Sequence, residues 1–468
     1  MGCMLSVFSS DPHLSERDSH PNKQGVVKSS SKVVEGQPQS SDNYMNALKP
    51  VKGPKRLKFN PNLPKTLTPK GCAKLMKILL GICKTLGVQL EWKRPHEIIS
   101  NAKFFSDGAS RFDIEQGELG DCWLLAAVAS IADHPHMFSH VVFENQELKG
   151  SNYVGVIHFR FWQFGEWVEV LIDDRLPVRS RKLNGCYAHL SGGTQSEAME
   201  DFTGGICLTI PLNSDERPQD LIEQLKIYTE RCCLIGCNIY SKFPFWKEPD
   251  NGLVSGHAYS LTGIYCVHYR GKPTWLVRIR NPWGGIHEWK GAWCDGAPEW
   301  LEISKQERKD IQLKFAGDGE FCQLKSCHLA LESLDIEHTI RGKRRLNEVI
   351  FRGQWKIGVN AGGSDHNTTT YWTNPQFRIT VKESDLDDNK CFLVVGVMQK
   401  GSRMMYGSNF RTIGFMIYEI PDDQTTLVSG AQMLTKTPIA TSQFINTREV
   451  VEQLRVPARN ISYYSVYI

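Results

Sequence analysis

The sequence predicts an α+β fold in which a mixed helix-and-strand portion is followed by an all-strand sandwich. Three observations carry that reading. At 468 residues the chain is too long for one hydrophobic core. Its middle holds both a helix-like apolar run, Trp123 to Ile131, and strand-like runs such as Val154 to Trp162. Beyond about residue 336 only alternating strands and turns remain. These shifts divide the chain into an N-terminal region 1–60, two mixed units 61–204 and 205–335, and a sandwich 336–468.

Residues 1–60 are rich in Ser, Pro, Asn and Lys with few large apolar side chains, which predicts disorder. The start, Met1-Gly2-Cys3-Met4-Leu5-Ser6, fits the pattern for N-myristoylation at Gly2, with Cys3 placed for a second acyl chain. An unmodified tail is the alternative. Basic residues from Lys23 to Lys58 would add attraction to an anionic leaflet. Gln116-Gly-Glu-Leu-Gly-Asp-Cys122 reads as a loop running into a helix, with Asp121 at the N-cap. Strands follow at Val154–Trp162 and Glu166–Ile172, then a hinge-like break at Thr203-Gly204-Gly205. The second unit reads as one helix, Pro218–Cys232, then strands at Cys233–Tyr240, Gly256–Tyr265 and Thr274–Ile279. Phe377–Val381 and Cys391–Val397 alternate as sandwich strands, and the chain is expected to stop before the last sandwich strand is complete.

Composition narrows the function. A hydrophobic content of 41% describes a folded protein, and a net charge of +4 among 55 basic and 51 acidic residues argues against a nucleic-acid partner. The fourteen cysteines are scattered, which predicts reduced thiols in a cytoplasmic setting. No run approaches the roughly 18 apolar residues of a spanning helix, since Lys77 and Lys84 interrupt Leu75–Val88. Met1–Ser10 lacks the parts of a secretory signal.

Cys122 lies at the first turn of the predicted buried helix, where free amides and the helix dipole stabilise a thiolate. Alone, a cysteine beside Trp-Leu-Leu-Ala-Ala reads as core. Its partners change that. His257 enters a strand in Ser-Gly-His-Ala-Tyr, and Asn281 stands in Arg-Asn-Pro-Trp-Gly, held extended by Pro282. Cysteine first, then His and Asn about 130 to 160 residues on, is the order of papain-like proteases. The Asn281 amide would orient the imidazole as a carboxylate does in serine enzymes.

Longer stretches make the likeness specific. Gln116–Ala127, Gly256–Gly263, Arg280–Gly284 and Glu200–Gly205 resemble the calpain family, as do Trp92–Pro95, Asn360–Gly363 and Asn374–Phe377. The resemblance implies a papain-like two-subdomain cysteine protease core followed by a C2-like antiparallel β-sandwich. It implies limited cuts in intracellular protein substrates. It also makes Gln116 an oxyanion-hole donor and Trp283 a movable wedge beside the triad.

The same resemblance implies Ca2+ as cofactor, bound in each half by hard oxygen ligands. In the second half Glu288, Asp295, Asp318, Glu320 and the Ala316 carbonyl match the family's ligands. In the first, Asp113 and the carbonyls of Ser106 and Gly108 match, but the expected glutamate does not appear. Between Pro177 and Asn184 the chain reads Val-Arg-Ser-Arg-Lys-Leu, where the family carries a longer segment with that glutamate and a helix. Asp385, Asp387 and Asp388 form an acidic loop without the EF-hand pattern. No EF-hand module follows, so no small subunit docking through one is expected. The leading expectation is a calcium-dependent endopeptidase in the cytoplasm, peripheral at membranes where Gly2 and Cys3 are acylated. The intact Cys122, His257, Asn281 and Gln116 favour it. The lost segment favours a weak or inactive calpain-like regulatory or binding protein.

Overall fold

The structure is a computed structural model that describes residues 2–9, 15–16, 91–105, 108–117, 120–179, 182–183, 193–212, 217–239, 252–285, 288–324, 333–338, 347–363, 366, 369–381, 390–400, 410–421, 428–457 and 461–467. The helix Cys122–Ala132 forms where small, apolar residues run without a break. Asp121 takes its N-cap position, and its carbonyl accepts from the Leu124 and Leu125 amides at 3.0 Å each. Its side chain makes no capping hydrogen bond. Ala126, Ala127 and Ala129 are buried, and these small side chains let the helix lie close against a sheet. Ser260 Oγ on that sheet donates to Ala126 O at 2.9 Å.

The sheet is six-stranded and antiparallel, in the spatial order Glu320–Leu324, Lys272–Arg280, His257–Tyr269, Leu234–Ile239, Ser333–His338, Ile206–Pro211. One face packs on the helix Leu221–Glu230 through Leu221, Ile222, Leu225 and Tyr228. The other side meets a cluster built from Cys122–Ala132 and the helix Gln195–Thr203. Thr194 Oγ1 caps that second helix, and Gly204 ends it at φ 75°, a left-handed position that glycine adopts without steric cost. The break expected as a hinge at Thr203–Gly205 is therefore a helix C-cap. Val156–Gln163 and Glu166–Asp173 pair as a hairpin through Phe164 and Gly165, both at positive φ.

The last third is the expected β-sandwich, with two sheets closing over Leu393, Val395, Val397, Ile379, Val381 and Ile417. The strand Lys390–Gln399 is apolar on both faces because both are covered. Leu393, Val395 and Val397 face the sandwich interior, while Phe392 and Val394 pack on Ile206 of the protease sheet. The contact is fixed by polar pairs: Tyr228 Oη donates to Gln453 Oε1 at 2.7 Å, and Arg448 meets Asp201 at 2.7 Å.

One expectation needs correction at the N-terminus. Gly2–Ser9 is an eight-residue strand lying between Asn347–Gln354 and Lys390–Gln399, antiparallel to both, and Ser15–Glu16 pairs with Ile379–Thr380. Composition averaged over sixty residues concealed a short run, Cys3-Met-Leu-Ser-Val-Phe8, with the apolar and β-branched content of a strand. The acidic loop Asp385–Asp388 lies outside the described residues, as does Ser106. No helix among the described residues is long and apolar enough to cross a membrane. Cys122, Cys207, Cys232, Cys233, Cys237, Cys266, Cys294, Cys322 and Cys391 are free thiols.

Candidate active site

His257 is the first residue of its strand and Asn281 follows the end of the neighbouring one, so sheet pairing sets their separation. Both are buried, and His257 Nε2 lies 2.8 Å from Asn281 Oδ1. The Trp283 backbone N–H also donates to that oxygen at 3.0 Å, which identifies it as the amide's carbonyl end. An acceptor at Oδ1 requires His257 to hold its proton on Nε2, leaving Nδ1 as the basic nitrogen. The Asn281 N–H donates to Gly319 O at 2.8 Å. Gly319 stands at φ 83°, and a Cβ there would come within 2.7 Å of Asn281 O. Two rings enclose the imidazole: Trp283 at 4.6 Å between centroids and Tyr259 at 4.9 Å, edge-on. Tyr259 is itself held, its hydroxyl accepting from the Val254 N–H at 2.7 Å.

Cys122 opens its helix, with its sulfur against the Ala258 amide one residue from His257. Its thiol departs from the sequence expectation. Burial pushes the Cys122 pKa up, and the Asp121 charge adds to that. The Ala258 and Trp123 amides pull the other way without winning. Desolvation outweighs the helix terminus here, so the thiol form is favoured. Gln116 is buried beside this turn: its N–H donates to Pro282 O at 2.8 Å and its side chain bonds the Asp121 carboxyl.

The acidic residues of the second half converge on the 316–320 turn. Glu288 Oε1 accepts from the Gly319 N–H and Asp295 Oδ2 from the Ala316 N–H, both at 2.9 Å, while Asp318 Oδ1 accepts from the Glu320 N–H at 2.9 Å. Burial pushes Glu288 up to about 7 and Asp295 up to about 6, and the neighbouring carboxylates add to both shifts. A set of hard oxygens short of positive charge has the chemistry of a calcium site. The set is not gathered into a cage, since no group of three or more His, Cys, Asp or Glu among the described residues is placed to hold a metal. Glu320 is engaged elsewhere: Arg111 Nε and Nη2 meet its two oxygens at 3.0 and 3.2 Å, and Thr262 Oγ1 donates to Oε1 at 2.7 Å. The first half fits poorly. Asp113 Oδ2 is occupied by the Ser110 N–H and hydroxyl at 2.8 Å each, leaving the Gly108 carbonyl as the other described donor.

Arg111 was not legible in the sequence. It also meets Asp133 Oδ2 at 2.5 Å, so one guanidinium ties the end of the Cys122 helix to the sheet that carries Asn281. Its partner Glu320 is 209 residues away, and no local pattern announces such a pair.

Family comparison decides what this arrangement belongs to. The model described as calpain family cysteine protease matches residues 77–183 and 180–328, and that of the calpain large subunit, domain III, matches 351–462. The chain belongs to the calpain family. A calpain of Schistosoma mansoni is 53% identical over 528 aligned positions, covering 98% of this chain and 69% of that protein. Calpain-A of Drosophila melanogaster and the human calpain-1 catalytic subunit are each 38% identical, over 79% and 80% of this chain. The chain spans 50% and 58% of those two proteins. The calpain protease match comes in two stretches that meet at residues 180–183, the place where the sequence reading expects a shortened segment. Flanking that point, Leu176–Arg179 pairs with Lys182–Leu183 and with Glu91–Lys93, while residues 180–181 and 184–192 lie outside the described region.

Proposed function

We propose that this calpain is a cysteine endopeptidase that makes limited cuts in intracellular proteins. The supporting observation is the buried bond of 2.8 Å between His257 and Asn281, beside the helix that Cys122 opens. In this reading His257 Nδ1 takes the Cys122 proton, and the sulfur attacks the scissile carbonyl carbon. The resulting oxyanion is met by the Gln116 side chain and the Cys122 amide. The imidazolium returns the proton to the leaving amine, and a water activated by His257 hydrolyses the thioester. Asn281 keeps the ring in its tautomer, and Trp283 and Tyr259 keep water from it.

Calcium is the proposed cofactor, held by Glu288, Asp295, Asp318, Glu320 and the Ala316 carbonyl. It would supply positive charge beside Glu288 and Asp295, whose carboxyls are raised by burial and by neighbouring carboxylates. Glu320 would first have to part from Arg111, which links calcium to the bridge between the two halves. A second reading, a calpain with weak or no catalysis acting through binding, is favoured by two observations: the interrupted segment and the raised Cys122 thiol. A reducing cytoplasm suits a free catalytic thiol, and we place the protein there. Hydrolysis of a quenched fluorescent peptide with and without calcium separates the readings. Calcium-dependent cleavage that vanishes in Cys122→Ala supports the endopeptidase; equal cleavage by that variant would refute it.

A further inference from the structure

The strand that carries His257 is held unevenly. His257, Ala258 and Tyr259 pair with Ile239, Asn238 and Cys237 on one side. On the other, pairing with Lys272–Arg280 starts only at Ser260, opposite Arg280. His257, the first residue of its strand, therefore stands beyond the end of that second ladder. A third element reaches this stretch. Gln195 opens the helix Gln195–Thr203, is fully buried, and donates from Nε2 to the Tyr259 carbonyl at 2.9 Å. Two residues earlier, Gly193 lies so close to Trp123 that a Cβ on it would come within 2.2 Å of the indole. Trp123 directly follows Cys122, and Tyr259 lies two positions past His257. Gly193-Thr194-Gln195 thus runs from the neighbour of the nucleophile to the strand of the base.

Stability alone does not account for a glutamine here. Its Oε1 is enclosed with no hydrogen-bond partner among the described residues, and an enclosed amide oxygen left so lowers stability. Gly236 makes room for the amide, since a Cβ on it would lie 2.6 Å from Oε1 and 2.8 Å from Cδ of Gln195. A methionine of nearly the same length would fill this notch and leave no oxygen orphaned. The hydrogen bond that the amide makes in return goes to the strand of His257. We propose that Gln195 is a positioning residue for the Cys122–His257 pair, holding the start of the His257 strand at the separation from the Cys122 helix that proton transfer needs. Ser260 Oγ, bonded to Ala126 O, ties the next residue of that strand to the same helix. Gln195 extends the hold to the end where the ladder stops. Being fully buried, it acts through the strand and not on substrate. The inference rests on the endopeptidase reading, in which His257 takes the Cys122 proton, and adds to it the residue that sets their distance.

The test compares the native full chain with Gln195→Met by the rate at which iodoacetamide alkylates Cys122 near neutral pH in calcium, read by mass spectrometry of the Cys122 peptide. An imidazole placed to take the thiol proton raises the reactive fraction, so Gln195→Met should slow alkylation about fivefold. The same substitution made in His257→Ala should change the rate by less than about twofold, because its effect runs through the imidazole. The melting midpoint of Gln195→Met should stay level or rise, since the orphaned oxygen is gone. Gly236→Ala, which must push the amide aside, should slow alkylation as Gln195→Met does. On a quenched fluorescent peptide, Gln195→Met should lower kcat about tenfold and leave KM within about twofold of the native value. Unchanged or faster alkylation in Gln195→Met, equal slowing in the His257→Ala background, or a loss that only follows a lowered melting midpoint would each overturn the proposal. If the native chain cleaves no peptide while Gln195→Met slows alkylation only where His257 is present, the endopeptidase reading fails and the role of Gln195 stands.

Discussion

Cys122 shows how two physical effects compete at one residue. The helix start offers amides to a thiolate, yet burial and Asp121 hold the thiol protonated. Only the anion reacts with an alkylating agent, so a raised pKa moves reactivity to higher pH. Without calcium, iodoacetamide labelling of Cys122 should therefore be slow near neutrality and rise into the alkaline range. Addition of calcium should shift that profile to lower pH, as read by mass spectrometry of the Cys122 peptide. Asn281→Ala should reduce kcat on the order of tenfold to a thousandfold, less than Cys122→Ala, because it orients the ring and makes no bond to substrate. Cys122, His257 and Asn281 could be picked out as candidates in the sequence because each stands in a short, distinctive run, and the structure brings His257 and Asn281 together. The state of the thiol was not legible, because the strand that begins at His257 and lies against Cys122 is more than a hundred residues downstream.

Gly319 and Arg111 act through the elements they join. A side chain at Gly319 would press on Asn281 O and on the Gly284 backbone at 2.8 Å, and φ 83° strains any other residue. Gly319→Ala should therefore move the Asn281 turn, with kcat falling about tenfold or more while peptide KM stays near the native value. Arg111→Ala should cost about 1–3 kcal/mol in denaturant unfolding, since it removes charged hydrogen bonds to Glu320 and Asp133 that are partly shielded from water. Calcium should bind weakly and through the second half, so Asp295→Asn should lower affinity measured by titration calorimetry and Asp113→Asn should leave it unchanged. The sequence marked the helix Cys122–Ala132 and the long strands because their apolar periods are unbroken. It hid the helix Gln195–Thr203, whose polar residues mask the buried Ala198, Met199 and Phe202. It also hid the N-terminal strand, too short to move the composition around it.

The whole molecule is joined where the sandwich meets the protease core. Glu200 and Glu449 are buried together at that junction, with Arg448, Asp201, Glu197 and the Cys207 backbone around them. Burial and the Glu449 charge hold the Glu200 carboxyl well above the usual carboxylate range, and burial raises Glu449 too. Acids raised on folding stabilise the protein below their unfolded pKa, and that stability is lost as pH climbs through the folded values. The thermal midpoint should fall as pH rises above the ordinary carboxylate range and through the raised folded-state pKa values, and Glu200→Gln should flatten that fall. At this scale the α+β architecture was legible from the change of pattern near residue 336, whereas a junction built from residues hundreds of positions apart was not. The central claim is that these parts assemble a cysteine endopeptidase on Cys122. Its most direct measurement is labelling with a peptide epoxide, an active-site-directed thiol reagent, followed by mass spectrometric mapping in calcium and in chelator. The account predicts a single adduct on Cys122 that appears with calcium and is lost in His257→Ala. Labelling spread over the exposed Cys232 and Cys266, with Cys122 untouched in calcium, would contradict it.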